Sequence, residues 1–254
     1  MKVVTFNIRC DVGQDGINVF DNRKGLIKDA LGVHQPDIIG FQEVLPHVMD
    51  WLETNLEAYT VVGCGREADL DGEYMTLAFK KKLFSLVNLE TFWLSDTPSV
   101  PGSRYEDQSV YPRICTVALL REKSTRKLIK VYVTHLDHES SYAIKAGLQL
   151  IVNKINADCD KESDTVILLG DFNAFPNSEE LSPLIESGPI NLTDVTKEIE
   201  FTFHNYNPDC CKDKIDYIFV SDNMHCAKAY TINDEKDGVF LSDHYPVLTE
   251  LSIQ

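Results

Sequence analysis

The sequence predicts an α+β fold in which two packed sheets, mixed or antiparallel, are flanked by helices. Strand-like segments outnumber helix-like segments, and their apolar residues occur in short runs bounded by turn residues. No internal repeat, low-complexity segment or linker divides the 254 residues. We therefore expect one domain that spans residues 1–254.

Ten segments are expected to form strands, because β-branched, aromatic and other apolar residues dominate each of them. In chain order they are Lys2–Ile8, Asp37–Phe41, Thr60–Gly63, Met75–Lys80, Ser85–Leu94, Arg113–Arg121, Lys127–Thr134, Thr165–Gly170, Ile215–Val220 and Tyr245–Leu251.

Three segments show the sequence features of helices, namely apolar residues at helical spacing, a capping residue or an early proline. They are Arg23–Val33 with Asp21 or Asn22 as its N-cap, His47–Leu56 with Pro46 near its first turn, and Ser141–Ala157. The stretch Ser95–Tyr111 is rich in Pro, Gly and Ser and is expected to be a long loop that selects the substrate.

The chain is acidic, with 24 Lys and Arg against 40 Asp and Glu and a net charge of −16. An acidic surface repels polyanions, so broad attraction to nucleic acid is not expected. No signal peptide or membrane-spanning run is found in the sequence, and none of the seven cysteines forms a C-x-x-C pair. These features predict a cytoplasmic protein with reduced thiols, including the adjacent Cys210 and Cys211.

Polar residues stand at the ends of many predicted strands. Some follow an apolar run, and others precede one. The residues that follow a run are Asn7, Glu43, His135, Asp171 and Asn173, and those that precede one are Asp216, Asp243 and His244. If the two late strands run antiparallel to the others, all these groups meet at one edge of the sheets. We expect a site at this edge.

The chemistry of this set favours a divalent cation and phosphate. Carboxylate and amide oxygens are the ligands of Mg²⁺ or Mn²⁺, and the set contains no thiolate. Its two histidines can move protons near neutral pH. Together these groups suit the hydrolysis of a phosphate ester.

Six motifs occur in a fixed order: Asn7 in TFN, Glu43 in QE, His135 in THLDH, and then GDFN, IDYIF and SDHYP. With them the chain resembles the endonuclease/exonuclease/phosphatase superfamily over essentially its whole length. The resemblance implies a four-layer α/β/β/α sandwich of the deoxyribonuclease-I type. It also implies a metal-dependent phosphoric ester hydrolase.

The resemblance also implies roles for individual residues. Glu43 resembles the main Mg²⁺ ligand, Asn7 a partner of the metal, and Asp243 an additional carboxylate of the metal or phosphate site. The residues that resemble the catalytic groups are Asp171, which prepares the attacking water; Asn173, which positions water or phosphate; His244, oriented by Asp216; and His135, a donor to phosphate oxygens.

Two further residues are candidates for binding the substrate phosphate. Arg113 ends the long loop, where it is either a bidentate phosphate clamp or a surface cation. His138 follows His135 by three residues and is either structural or part of the site. Glu73 precedes another predicted strand and is a weaker candidate for the rim of the site.

The substrate is left open by the sequence, and three functions remain. The favoured one is a Mg²⁺-dependent phosphoesterase that cleaves a phosphodiester or phosphomonoester by in-line water attack, on a small or soluble phosphorylated compound. The second is a nuclease, which needs a basic track such as Lys80–Lys82 or Arg104 beside the site. The third is a non-catalytic binding protein that keeps the fold.

Overall fold

A computed structural model describes residues 1–159, 164–185, 188–209 and 211–254. Cys210, one half of the adjacent cysteine pair, lies outside the described residues. None of the described helices is long and apolar enough to cross a membrane.

Strands outnumber helices, and two long runs of consecutive strands occur along the chain. The strands are β1 (Lys2–Asn7), β2 (Ile38–Val44), β3 (Tyr59–Gly65), β4 (Tyr74–Lys80), β5 (Phe84–Trp93), β6 (Ile114–Glu122), β7 (Leu128–His135), β8 (Thr165–Asp171), β9 (Leu192–Asp194), β10 (Asp216–Ser221), β11 (Met224–Thr231), β12 (Glu235–Lys236), β13 (Val239–Phe240) and β14 (Val247–Ile253). The helices are α1 (Phe20–His34), α2 (Pro46–Asn55), α3 (Ser141–Asp158) and α4 (Ser182–Ile185), with 3₁₀ turns at Gly16–Asn18 and Glu179–Leu181.

The predicted four-layer sandwich is confirmed. One six-stranded sheet has the order β11-β14-β1-β2-β4-β3, and the other has the order β5-β6-β7-β8-β10-β9. Helices α1 and α2 pack on the outer face of the first sheet, and α3 packs on the second. A third apolar cluster fills the space between the sheets. Because successive strand residues face opposite sides, Val3 lies between the sheets while Val4 faces the helices.

All ten predicted strands and all three predicted helices are present, with shifted ends. Helix α1 begins at Phe20 with Val19 as its N-cap, so the prediction that Asp21 or Asn22 caps it is wrong, and Asp21 lies in the first turn. The sequence interpretation missed β9, β11, β12 and β13. Strand β11 lies at a sheet edge with most of its residues exposed or half-buried, so it lacks the apolar run that marks a buried strand.

Strand direction gathers the polar ends of the strands. Strands β1 and β2 are parallel, and so are β7 and β8, which places the carboxyl ends of each pair together. Strands β14 and β10 run antiparallel to β1 and β8, and Asp216 lies opposite Asp171. The two late strands therefore meet the condition under which all the polar groups lie at one edge of the sheets.

Gly170 lets strand β8 approach β7 immediately before Asp171. Its φ angle is +153°, and a Cβ atom there would lie 1.9 Å from the carbonyl oxygen of Thr134. Since that obstacle is backbone, a side chain cannot be accommodated by a change of rotamer. The glycine of the GDFN motif is thus required by strand packing.

We predict that Gly170→Ala lowers the free energy of unfolding by about 3 kcal/mol or more, because it combines backbone strain with a steric clash. Denaturant unfolding of the purified protein measures this. Gly25→Ala is the matched control, because a Cβ atom at Gly25 meets nothing within 4 Å and the residue lies in helix α1. The control should be neutral or stabilising by up to about 1 kcal/mol. Equal stability of the two variants would contradict the packing argument.

His204 is buried among aromatic rings, with its own ring centroid 4.1 Å from that of Tyr245 and 5.1 Å from that of Phe240. Neither ring nitrogen has a hydrogen-bond partner among the described residues. Burial, and then the charge of His244, lower the pKa of His204 to about 4. The neutral imidazole is therefore the form that the folded protein holds.

We predict that His204 makes the protein less stable as the pH falls from about 6.5 to about 4. In that window the unfolded chain binds a proton that the folded chain excludes, so stability is lost on acidification. His204→Phe should remove about 1–2 kcal/mol of this loss, a figure reduced for solvent screening. Denaturant unfolding at several pH values measures it, with His225→Gln on the exposed edge strand β11 as the control. An unchanged pH slope in His204→Phe would show that this histidine is not the group responsible.

Candidate active site

Asn7 joins the two sheets at the shared edge. Its side-chain amide donates to Oε1 of Glu43 at 2.8 Å and to Oδ2 of Asp171 at 3.0 Å, and it lies 3.4 Å from Nε2 of His244. The carboxamide oxygen accepts the backbone N–H of Arg9 at 3.0 Å. Both hydrogens of the amide are therefore donated to carboxylates, and Asn7 fixes the distance between the carboxylates of Glu43 and Asp171.

Glu43 stands on a local distortion of strand β2. Its φ angle is +63°, and the register of β2 against β4 shifts between Phe41 and Val44. Such a bulge redirects one side chain from the regular alternation of a strand. The second carboxylate oxygen of Glu43 accepts the backbone N–H of Cys10 at 2.7 Å. The carboxylate is thus held in one orientation at the cavity wall.

His244 lies between two carboxylates. Its Nδ1 donates to Oδ2 of Asp216 at 2.8 Å, and its Nε2 lies 3.7 Å from Oδ2 of Asp171. Burial lowers the pKa of His244, but Asp216 and Asp171 outweigh it and raise the pKa to about 10. The imidazolium form is therefore favoured, with its orientation set by Asp216.

Asp171 is almost completely buried at the end of β8. Burial, followed by the charge of Asp216, raises the pKa of its carboxyl to about 7. The backbone N–H of Asn173 donates to Oδ1 of Asp171 at 3.0 Å, and the Asn173 amide donates to the carbonyl of Leu136 at 3.1 Å. A carboxyl group with such a pKa can exchange a proton near neutral pH.

His135 faces the same carboxylate from strand β7, with Nε2 3.5 Å from Oδ2 of Asp171. Burial, and then the charges of Arg113 and Arg66, hold its pKa well below the usual value. His135 is therefore neutral, unlike His244. The structure brings two histidines of opposite protonation preference to one carboxylate.

Arg113 and His138 contact each other beside this group. Nη2 of Arg113 donates to Nδ1 of His138 at 2.8 Å, and Nε lies 3.6 Å from Oδ2 of Asp137. Arg113 is only 4% exposed, so the alternative of a surface cation is wrong. Both residues line the cavity.

Asp243 completes the predicted set in the wall of the cavity. It accepts from the hydroxyl of Ser242 at 3.1 Å, and it lies 3.6 Å from Nε of Arg9. Burial is the largest cause of a raised pKa at Asp243, and the charge of Glu43 adds to it. All ten predicted site residues therefore lie in or directly behind one cavity.

This cavity has a volume of about 610 Å³, which is within the usual range for small-molecule sites. Its wall contains basic, acidic, aromatic and aliphatic groups. The lining residues are Arg9, Cys10, Val12, Glu43, Arg66, Glu73, Tyr111, Arg113, His135, His138, Asp171, Asn173, Phe175, Phe203, Asn205, Asp213, Ile215, Asp243 and His244. Asn7 and Asp216 stand behind this wall and orient its members.

The sequence interpretation missed several members of the wall. Arg66 lies in a loop after β3 with no motif to mark it, yet it forms a two-pronged ion pair with Glu73 at 2.7 and 3.0 Å. Glu73, a candidate for the rim of the site, lines the cavity. Of the loop Ser95–Tyr111, which is irregular as predicted, Tyr111 lines the cavity. Tyr111, the last residue of this loop, therefore forms part of the cavity wall.

The donor set fits a hard divalent cation. Glu43, Asp171 and Asp243 line one cavity, and burial raises the pKa of both aspartates, so a cation there would offset the cost of their charges. Oxygen ligands of this kind suit Mg²⁺ or Mn²⁺. Ligand atoms of Asp171, Asp216 and His244 also lie within 4.8 Å of one another. Because Asp216 and His244 already bond each other, that trio fits proton handling better than metal ligation.

Known proteins share this architecture. The family model of the endonuclease/exonuclease/phosphatase family matches residues 4–244. An endonuclease/exonuclease/phosphatase from Bacteroides vulgatus is 30% identical with a TM-score of 0.92, covering 100% of this chain and 98% of that chain. A mannosyl-6-phosphatase of Bacteroides thetaiotaomicron is 27% identical with a TM-score of 0.89, and each chain is covered fully, 100% and 100%.

A more distant structure, the human nocturnin catalytic domain with bound sulfate, is 20% identical and has a TM-score of 0.79, with 100% of this chain and 94% of that chain covered. At this level of identity the likeness shows the fold alone. The family match over nearly the whole chain and the two-sheet fold agree with each other. The chain belongs to the endonuclease/exonuclease/phosphatase family and is a hydrolase that acts on phosphoric esters.

Proposed function

We propose that this protein is a Mg²⁺-dependent phosphoesterase that hydrolyses a small or soluble phosphorylated compound by in-line attack of water. The observation that carries the proposal is the contact of Asp171 with His244, His135 and Asn7 at the floor of one cavity. A water placed there meets a carboxylate that can take its proton and two histidines that can contact phosphoryl oxygens.

Glu43 is the principal residue that would hold the cation, with Asp243 as a second carboxylate. Asn7 orients Glu43 through its amide, since its carboxamide oxygen is engaged by the Arg9 backbone. A bound Mg²⁺ would neutralise charge on the phosphoryl oxygens, and Mn²⁺ has the same ligand preference.

The proton steps are assigned to the chain's own residues. Asp171 accepts the proton of the attacking water, and Asn173 holds Asp171 in place through its backbone N–H. His244, kept protonated by Asp216, stabilises the charge that develops on the phosphoryl oxygens or protonates the leaving oxygen. Neutral His135 contributes a hydrogen bond to the same oxygens, and Arg113 with His138 binds the phosphate.

The choice of a small substrate rests on cavity size and charge. The acidic chain disfavours a polyanion, and the mannosyl-6-phosphatase is a similar structure that is named for a phosphorylated sugar. The basic track that a nuclease needs is not supported by Lys80–Lys82 or Arg104. Nζ of Lys80 contacts Asp37 at 2.8 Å, beside the amino end of β2 and opposite the end that carries Glu43, and the exposed Arg104 does not line the cavity.

We predict Mg²⁺-dependent turnover of phosphorylated metabolites or generic phosphoesters that exceeds turnover of oligonucleotides. Asp171→Asn and His244→Gln should each lower kcat/KM by about 10²–10⁴-fold, because each removes a proton-handling group. A panel of a phosphomonoester, a phosphodiester, oligonucleotides and phosphorylated metabolites measures this. His225→Gln, on the exposed edge strand, is the control with full activity. Near-full activity of either site variant would contradict the assigned roles, and no turnover of any phosphoester would favour the non-catalytic binding protein.

We predict that Glu43→Gln raises the Mg²⁺ concentration for half-maximal activity by about 10–100-fold, because it removes the negative charge that holds the cation. Titration of Mg²⁺ into the chelator-treated protein measures this, both by activity and by calorimetry. Glu179→Gln is the control, since Glu179 lies in a 3₁₀ turn and pairs with Lys145 on the surface. An unchanged Mg²⁺ requirement in Glu43→Gln would place the cation elsewhere.

A further inference from the structure

Two buried arginines form one wall of the cavity. Arg66 is 5% exposed and Arg113 is 4% exposed, and both line the same space as Asp171 and His135. Arg66 has no role in the hydrolysis described above. Buried cations that line a site without such a role are candidates for recognising an anionic group.

The Arg66 guanidinium is fixed on two sides. Glu73 binds Nη1 and Nη2 at 2.7 and 3.0 Å, and the ring of Tyr111 lies 4.6 Å from the guanidinium carbon. The backbone carbonyl of Arg66 also accepts the indole N–H of Trp93 at 2.7 Å. The side chain is therefore held in place before any substrate arrives, which lowers the entropic cost of binding.

Arg113 is only partly satisfied by its neighbours. It donates one hydrogen bond, to His138, and Asp137 lies 3.6 Å from its Nε. Asp137 already accepts from the hydroxyl of Ser109 and from the backbone N–H groups of Glu139 and Ser140. Among the described residues, Nε and Nη1 of Arg113 and Nε of Arg66 have no hydrogen-bond partner.

The two guanidiniums also repel each other. Burial is the largest cause of a lowered pKa at Arg113, and the charge of Arg66 lowers the pKa further. Glu73 pairs with Arg66 and Asp137 lies beside Arg113, but the buried donors that these carboxylates leave unpaired cost stability until an anion accepts from them. A phosphoryl group with two negative charges would offset this cost more completely than one with a single charge.

We propose that Arg66 and Arg113 together bind the terminal oxygens of a phosphoryl dianion, so that the enzyme prefers phosphomonoesters to phosphodiesters. A monoester presents three terminal oxygens and about two negative charges, whereas a diester presents two such oxygens and one charge. The donors without a hydrogen-bond partner are Nε of Arg66 and Nε and Nη1 of Arg113, and a third terminal oxygen gives them one more acceptor. The inference rests on the proposed function, whose chemistry it narrows to one class of ester.

The test compares p-nitrophenyl phosphate with bis(p-nitrophenyl) phosphate at fixed Mg²⁺. The wild type should have the higher kcat/KM on the monoester. In Arg66→Met and Arg113→Met, kcat/KM should fall by about 10–100-fold on the monoester and by less than about 3-fold on the diester. The larger fall corresponds to the loss of one charge-assisted interaction. Arg66→Lys should recover part of the loss, because it keeps the charge without the fork.

Arg121→Met is the charge-matched control. Arg121 pairs with Leu128 at the end of β6 that lies away from Ile114 and the cavity, and it should retain the activity of the wild type on both esters. Thermal unfolding of each variant identifies any that do not fold. Arg66→Lys and Arg113→Lys then serve in place of a methionine variant that fails to fold.

A second measurement is independent of turnover. Calorimetric titration of inorganic phosphate into the Mg²⁺-loaded wild type should give a dissociation constant that rises at least about 10-fold in Arg66→Met and Arg113→Met. Equal losses on the two esters, unchanged phosphate binding, or a wild type that prefers the diester would each overturn this inference while leaving the phosphoesterase proposal intact. Absence of Mg²⁺-dependent turnover on every phosphoester would instead contradict the proposed function itself.

Discussion

The site depends on one carboxamide that bridges two sheets. Strand β1 carries Asn7 in the first sheet, strand β8 carries Asp171 in the second, and their side chains meet at 3.0 Å. The apolar cluster between the sheets fixes the distance between them, so this contact follows from core packing as much as from polar chemistry. The relative position of the two sheets therefore determines where the carboxylate of Asp171 lies.

Desolvation shapes the electrostatics of the site. Asp171, Asp243 and Glu73 all have carboxyl pKa values raised chiefly by burial, while His244 is kept protonated by the two carboxylates beside it. Buried charges of both signs are costly unless each has a partner. The endonuclease/exonuclease/phosphatase family is typically dependent on a divalent metal, and a cation beside Asp171 and Asp243 would offset part of the cost of burying their charges.

Much of the fold and the site could be predicted from the sequence, because the buried strands are apolar and their polar ends are conspicuous. Asp171 and His244 can be identified in this way, because each adjoins an apolar strand in which a charged side chain is not expected. Arg66 and strand β11 could not be predicted in the same way. Arg66 lies in an irregular loop, and its place in the wall arises from contacts with Glu73 and Tyr111, which are distant from each other in the chain. Strand β11 is paired on one side at a sheet edge, so its residues show no buried pattern.

The segments that carry the site are also joined by a residue that no motif contains. Arg23 in helix α1 is fully buried and donates to the backbone carbonyls of Ile8 and Leu241 at 2.7 and 2.8 Å. Ile8 follows Asn7 directly, and Leu241 precedes Asp243 by two residues. The Arg23 guanidinium donates to backbone carbonyls, which every residue type has. The sequences of the two segments that it joins therefore do not reveal its contribution to their geometry. A helix of the outer layer therefore helps to set the distance between the segment that carries Asn7 and the segment that carries Asp243 and His244.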